Sequence, residues 1–200
     1  MHSDDREAQD MAGLGGEPLM EIFRRAASTD PAPGGGSVTA LCGALGIALV
    51  LKALRISLRR RDDAERFAAA DRALDQLAAQ LTEDADADAG AYGRYIAALR
   101  LPKDRPDEAA ARAARLQQAS VEAVEVAIAA LDHAAKAIGQ AQALREAISS
   151  RLAPDLTAGI ELLEVTRRNA LQNARDNLAG VADEEAKSSL ALRLDRLGER

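Results

Sequence analysis

Four long stretches of this chain repeat apolar side chains at three- and four-residue spacing, and short breaks containing proline or glycine separate them. Such spacing predicts amphipathic helices. The predicted helices cover residues 38–60, 62–100, 107–138 and 155–178. Alanine, the best helix former, supplies 46 of the 200 residues, whereas strand-favouring residues are scarce. The chain is therefore predicted to be all-α, an elongated bundle of long and mostly antiparallel helices.

The predicted organisation is one helical domain behind a short tail. Residues 1–16 are acidic at first and then small, which favours a disordered tail, and the single domain takes in residues 17–200. Shorter helices are expected over residues 18–27 and 183–197. The helix over 38–60 is apolar most of the way round, which is more surface than one bundle of this size readily covers. We therefore expect a homodimer.

Glycines in two of the long helices predict how they pack and end. In the helix over 38–60, small residues would let another backbone come unusually close; they are Ala40, Gly43, Ala44 and Gly46. The helix over 107–138 either ends at Gly139 or continues to Leu152 with a weakness at that glycine.

The charge and residue composition exclude several classes of protein. There are 26 Lys and Arg against 32 Asp and Glu, and aromatic residues make up 2%. A nucleic-acid binder would need the basic surface and stacking groups that this chain lacks. Cys42 is the single cysteine, so we expect a reducing, cytoplasmic location. The most apolar stretch, Val38–Leu54, has about 17 residues and contains Lys52, so we expect no membrane partner.

The clearest non-helical segment is Ser28–Ser37, which contains two prolines and the three glycines Gly34, Gly35 and Gly36. No strand precedes it and no Gly-Lys-Ser/Thr follows it, so the nucleotide-binding loop motifs fail. A glycine-rich turn that enters a helix exposes backbone N–H groups at the positive end of the helix dipole. Such a turn can bind an anion or let two helices approach, and spacing alone favours neither.

Three aspartates at alternate positions, Asp84, Asp86 and Asp88, form an acidic run within a predicted helix. Asp84 and Asp88 share a helical face and could hold a metal or share a proton, but a solvated helix face is the favoured interpretation. The chain has no His-x-x-x-His or Glu-x-x-His element, so no metal site is predicted. His133 is isolated and is interpreted as an ordinary, partly exposed histidine.

Two asparagines, Asn173 and Asn177, lie four residues apart and share a helical face. Asp155 precedes Asn173 by about five turns and faces the same way, but about 27 Å of straight helix separates them. Asp155 and Asn173 therefore cannot both contact one reacting atom from one subunit. Either one of them is structural, or a long ligand covers both, or a second subunit completes the site.

Several short pieces stand in a fixed order, with little or no gapping, between residues 31 and 178. They are Pro31–Ser37 with Leu41–Gly46, Asp88–Tyr92 with Leu101–Lys103, Ala123–Ile128, Pro154–Ala158, and Asn173 with Asn177. Together they resemble the cyclodeaminase/cyclohydrolase family, whose pattern begins Pro-Thr-Pro-Gly-Gly-Gly-Ser and continues with Asp-x-x-Ala-Phe/Tyr and Leu-Pro-Lys. The family is the folate domain of formiminotransferase-cyclodeaminase and its stand-alone bacterial relatives.

The resemblance implies an all-helical homodimer with a folate cleft and one of two reactions. A cyclodeaminase converts 5-formimino-tetrahydrofolate to the methenyl form and ammonia, and a cyclohydrolase converts the methenyl form to 10-formyl-tetrahydrofolate. The only small molecule implied is the tetrahydrofolate derivative itself, as substrate, with neither a metal nor a redox cofactor.

The resemblance also implies a set of site residues. Asp155 or Asp88 would be the acid/base, and Lys103 would contact the substrate or tune a carboxylate. Asn173 and Asn177 would orient the ring. The turn formed by Gly34, Gly35, Gly36 and Ser37 would bind a carboxylate or line the cleft. Arg60 takes the place of a family lysine in a basic cluster, which is either a solvated helix end or a carboxylate-binding patch.

A second interpretation stays open, in which the chain is a non-catalytic helical homodimer that acts as a binding or regulatory scaffold. Ile148–Ser149 stands where the family has a Gly-Asn element, which favours the scaffold. The retained Asp, Lys and Asn set favours the enzyme.

Overall fold

In the computed structural model, the described residues, 13–59 and 64–198, form seven α-helices and no strand. We number the helices α1 Gly13–Gly16, α2 Leu19–Ala26, α3 Gly35–Leu58, α4 Ala68–Leu99, α5 Pro106–Ala143, α6 Ala153–Leu178 and α7 Glu184–Gly198. The all-α prediction is confirmed.

The four long helices α3 to α6 form an antiparallel bundle. Helix α3 packs against α4 and α6, and α5 packs against the same two helices from the other side. Short links between consecutive helices favour this arrangement. Its direction is visible in contacts between α3 and α4, because Ser37 meets Asp88 near one end and Arg55 meets Asp71 near the other. Helix α7 covers part of α5 and α6.

The apolar core follows the length of the bundle. One cluster, at the C-terminal half of α3, includes Leu54, Leu74 and Leu163. A second cluster, centred on Val124 and Leu131, continues under α7. Burial of these side chains, more than helix propensity, stabilises long helices in a protein.

Helix α3 is apolar on two faces, and the described residues cover only one of them. Ile47 and Leu54 are fully buried, whereas Leu45 is 56% exposed and Ile56 is 50% exposed. By length and composition alone α3 could cross a membrane, yet half of its most apolar window is buried inside the bundle. The close approach predicted from its small residues is confirmed, because a Cβ built on Gly46 would lie 2.7 Å from the carbonyl oxygen of Gly159 on α6.

Three predicted boundaries are wrong. The expected tail reaches residue 16, but the described part of it, Gly13–Gly16, is a helical turn with Leu14 buried; residues 1–12 lie outside the described residues. Helix α3 begins at Gly35, within the segment expected to be non-helical. Helix α5 passes Gly139 without a break and ends at Ala143, before two short 3-10 turns.

An ion pair fixes the end of the bundle where α3 finishes. The Nε and Nη2 atoms of Arg55 each donate to an oxygen of Asp71 at 2.8 Å. These hydrogen bonds hold the pKa of the Asp71 carboxyl below its usual value, despite some burial that acts in the opposite sense. The paired side chains therefore attach α3 to α4 most firmly when Asp71 is ionised.

Candidate functional site

A carboxylate is held at the N-terminus of α3. The backbone N–H of Ser37 donates to Asp88 Oδ2 at 2.8 Å, and the Ser37 hydroxyl donates to the same oxygen at 2.7 Å. Ser37 is fully buried. The glycine-rich turn does receive an anion at the positive end of a helix, and that anion is the chain's own Asp88.

Gly36 makes this contact possible. A Cβ built on Gly36 would lie 2.2 Å from Asp88 Oδ1, which is far inside van der Waals contact. Any side chain at this position would push Asp88 away from Ser37. Of the two roles that the sequence left open for the turn, the structure therefore shows both an anion contact and a close helix approach.

A row of amides on α6 faces the same end of the bundle. Thr39 Oγ1 donates to Asn169 Oδ1 at 2.9 Å, and Asn173 Nδ2 donates to the same oxygen at 3.2 Å. One turn further on, Asn177 Nδ2 donates to the backbone carbonyl of Ala123 at 3.4 Å. These bonds fix the amide orientations, so the row is preorganised.

Asp88 borders two hollows. The first is a narrow pit of about 10 Å³ that it shares with Gly36, Asp84 and Asn173. The second is a cavity of about 200 Å³ between α4, α5 and α6, which we call the tyrosine cavity. It is lined by Asp88, Ala91, Tyr92, Tyr95, Ser120, Ala123, Asp176, Asn177 and Gly180. The larger of these two hollows has room for a planar ring system beside the Asp88 carboxylate.

The interpretation of Asp84, Asp86 and Asp88 as a solvated helix face is wrong. Asp84 is buried, and its Oδ2 lies 2.7 Å from Nδ1 of His133 on α5. Asp86 Oδ1 accepts a hydrogen bond from the backbone N–H of Leu14 at 2.7 Å. Each carboxylate thus has a partner from a different part of the chain, and the run attaches α4 to its neighbours.

Residues 18–196 match the family model described as formiminotransferase-cyclodeaminase. The chain belongs to this family. Formimidoyltransferase-cyclodeaminase of Sus scrofa is 33% identical over 92% of the chain, although the match spans only 37% of that relative's length. Methenyltetrahydrofolate cyclohydrolase of Methylorubrum extorquens is 30% identical, and the match covers 84% of the chain and 83% of that relative.

A solved structure has the same fold. The crystal structure of formiminotetrahydrofolate cyclodeaminase from Thermotoga maritima superposes with a TM-score of 0.81 and 20% sequence identity. The superposition covers 93% of the chain and 90% of that structure. The family assignment made from the sequence pattern is confirmed.

The structure brings part of the family-derived residue set together. Asp88 and Asn173 line one pit, beside the turn formed by Gly34, Gly35, Gly36 and Ser37, and Asn177 lines the adjoining tyrosine cavity. Two members lie elsewhere. Lys103 is exposed in the link after α4, and Asp155 Oδ2 lies 3.0 Å from Lys52 Nζ.

Asp155 is therefore at the opposite end of the bundle. Helix α6 runs from Ala153 to Leu178 without interruption, so about 27 Å separates Asp155 from Asn173 along it. Arg60 lies outside the described residues. Within residues 13–59 and 64–198, no three His, Cys, Asp or Glu side chains come together in a way that could hold a metal.

The residues that the sequence reasoning missed are Thr39, Asn169, Tyr95 and Asp176. Asn169 had a readable signal, because it precedes Asn173 by the same four residues that separate Asn173 from Asn177. Tyr95 follows Asp88 by seven residues and Asp176 follows Asn173 by three, so each shares a helical face with a predicted residue. For Thr39, the position in the site depends on which helices are neighbours, and local spacing does not contain that information.

Proposed function

We propose that this protein is a folate-processing one-carbon enzyme that acts on the carbon between N5 and N10 of tetrahydrofolate. Its family and the names of its relatives support this function. The observation that carries the proposal is the placement of Asp88. This carboxylate is fixed by Ser37 and is also open to a cavity with an amide and two tyrosines in its walls.

Asp88 is the acid/base in this proposal. In the deaminase reaction N10 attacks the formimino carbon on N5, and ammonia leaves the tetrahedral intermediate. In the hydrolase reaction water adds to the methenyl carbon, and the bond from that carbon to N5 breaks. Each reaction needs a group that gives or takes a proton beside this carbon. Oδ2 of Asp88 accepts both hydrogen bonds from Ser37 and Oδ1 lies over Gly36, so the carboxylate is held at a defined position beside the cavity.

The neighbouring groups bind and orient the substrate. Asn173 and Asn177 present amides whose direction is already fixed, so they hold the ring without reorganisation. The turn at Gly34–Ser37 closes the cleft and positions Asp88. Lys103 is exposed and cationic, which suits contact with the anionic glutamate tail of a folate.

A second copy of the chain completes the site in this proposal. The uncovered face of α3 carries Val38, Leu45, Lys52 and Ile56 on one line, with Leu45 and Ile56 largely exposed. Two copies that pack antiparallel through this face make a two-fold contact. Such a contact sets the N-terminal end of one α3 beside the C-terminal end of the other. The Asp155 of one copy then approaches the Asp88 of the other. Two residues that are far apart within one chain can therefore belong to the same site.

The experiment is a direct assay of methenyl-tetrahydrofolate by its ultraviolet absorbance. Growth of the absorbance from 5-formimino-tetrahydrofolate identifies a cyclodeaminase. Accelerated loss of the absorbance from the methenyl form identifies a cyclohydrolase. Rates equal to the spontaneous ones with both substrates, together with no folate binding by calorimetry, would contradict the proposal and favour the non-catalytic scaffold.

A further inference from the structure

Both tyrosines of the chain line the same cavity. The sequence contains two Tyr, two Phe and no Trp. Tyr92 is 45% exposed and Tyr95 is partly buried, and both border the tyrosine cavity next to Asp88. In contrast, Phe23 is 55% exposed on α2, and Phe67 packs against the core. A chain with so few aromatic residues thus concentrates half of them in one hollow of the candidate site.

The other lining residues define the charge of a ligand for this cavity. Its described walls carry the carboxylates of Asp88 and Asp176, the amide of Asn177 and the hydroxyl of Ser120, with no Lys, Arg or His among them. An anion placed here would face two carboxylates with no cation to compensate. A neutral ring with several N–H donors matches the walls, because carboxylates are acceptors only.

The two carboxylates have different tasks. Asp88 is fixed by Ser37 and also borders the inner pit, and in the proposed function it is the acid/base beside the reacting carbon. Asp176 is exposed, and its Oδ1 accepts a hydrogen bond from Gln172 on the same helix at 2.8 Å. That bond holds the Asp176 carboxylate on the α6 wall, across the cavity from the tyrosines of α4.

We infer that the tyrosine cavity binds the pterin ring, with Tyr95 stacked on its face and Asp176 accepting hydrogen bonds from the N–H groups of its pyrimidine edge. This assignment rests on the proposed function and names the part of the substrate that each wall recognises. The glutamate tail lies outside this acidic cavity. Tyr95 and Asp176 set specificity, and they do not take part in proton transfer.

The chain provides its own optical probe for this test. Because there is no Trp and both Tyr residues line one cavity, tyrosine emission reports on that cavity alone. Calorimetry gives affinities, and tyrosine emission, corrected for absorption by the ligand, locates binding. The probes are 5-formyl-tetrahydrofolate, tetrahydropterin and p-aminobenzoyl-glutamate. The variants are Tyr95→Leu, Tyr95→Phe and Asp176→Ala, with Phe23→Leu as a matched aromatic-to-leucine control outside the cavity.

Tetrahydropterin is expected to quench tyrosine emission and p-aminobenzoyl-glutamate to leave it unchanged. Tyr95→Leu and Asp176→Ala should each weaken pterin binding about tenfold, as loss of one stacked ring or one good hydrogen bond does. They should raise KM more than they lower kcat. Tyr95→Phe keeps the ring and should bind nearly as the parent does, as should Phe23→Leu.

Two results would overturn the inference, and they differ from failure of the proposed function. Quenching by p-aminobenzoyl-glutamate without quenching by tetrahydropterin would assign the cavity to the other half of the substrate. Parental affinity and KM in folded Tyr95→Leu and Asp176→Ala proteins would remove both residues from recognition, even if the enzyme turns over. Absence of both turnover and 5-formyl-tetrahydrofolate binding in the parent would reject the proposed function itself, and this inference with it.

Discussion

At the scale of single residues, the candidate site depends on the contact between Ser37 and Asp88, which leaves no room for a side chain at position 36. Ser37 offers two donors to Asp88, and Gly36 leaves the space that the second oxygen of that carboxylate occupies. A serine on the first turn of a helix and a distant carboxylate together satisfy a backbone donor that the helix cannot satisfy itself. Gly36 and Ser37 thus position Asp88 together, because the glycine leaves space for the carboxylate and the serine donates two hydrogen bonds to it.

We predict that Gly36→Ala lowers kcat by about a hundredfold, the lower end of what a general acid or base contributes. The added methyl group would displace Asp88 from Ser37, since its position is 2.2 Å from Asp88 Oδ1. The matched control is Gly93→Ala on α4, where an added Cβ meets nothing within 4 Å. Steady-state rates are compared, with circular dichroism to confirm folding. Equal rates for the two variants would contradict the prediction.

Some of these residues were readable from the sequence, and others were not. Asn173 and Asn177 share a face by spacing alone, and Asn169 extends that spacing by one more turn. The buried state of Asp84 was not readable, because its partner His133 is 49 residues away on another helix. A run of aspartates on an isolated helix favours solvent, and tertiary partners reverse that preference, which for Asp84 depends on the register between α4 and α5.

At the scale of helices, the sequence predicted the long elements better than their ends. Periodicity and alanine content identify α3 to α6, since both are local properties. The start of α3 at Gly35 is different, because Asp88 accepts a hydrogen bond from the backbone N–H of Ser37 in its first turn, and these two residues are 51 positions apart. Local residue preferences place glycines outside a helix, and a tertiary hydrogen bond brings two of them inside.

Small residues let the backbones of α3 and α6 approach closely where the two helices cross. A Cβ on Gly159 would lie 2.6 Å from the carbonyl oxygen of Gly46, and that neighbour is backbone, which cannot rotate away. We predict that Gly159→Ala lowers the free energy of unfolding by about 1–3 kcal/mol, the usual cost of overpacking. Urea denaturation followed by circular dichroism measures it.

The control for this prediction is Gly139→Ala on α5. This glycine is exposed and helical, and an added Cβ meets nothing within 4 Å. Alanine is the better helix former by about 1 kcal/mol, so this variant should match or exceed the parent in stability. If both alanine variants shifted the urea midpoint in the same direction and by the same amount, the contact between Gly46 and Gly159 would not limit the approach of the helices.

At the scale of the whole molecule, the bundle is long enough to keep residues at its two ends from contacting the same ligand atom. Asp88 and the amides lie at one end, and Asp155 and Lys52 lie near the other. Residues from both ends of the bundle match one family pattern in the sequence. The pattern does not show how Asp88 and Asp155 could belong to one site, because a sequence carries no direct information on the arrangement of subunits. In the proposed dimer, an antiparallel pair of α3 helices would join an end of each kind at two equivalent places and would cover the exposed apolar face of α3.

This arrangement predicts complementation between two inactive proteins. Asp88→Asn and Asp155→Asn should each abolish turnover as a pure variant. When the two variants are unfolded and refolded together, about half of the dimers are mixed, and each mixed dimer has one site with both aspartates intact. The mixture should therefore recover about a quarter of the parental activity. The control is Asp88→Asn mixed with Gly36→Ala, whose defects lie in the same half of the site, so no intact site can form. Mixed dimers that remain inactive would place Asp155 outside the reaction and would leave the site within a single chain.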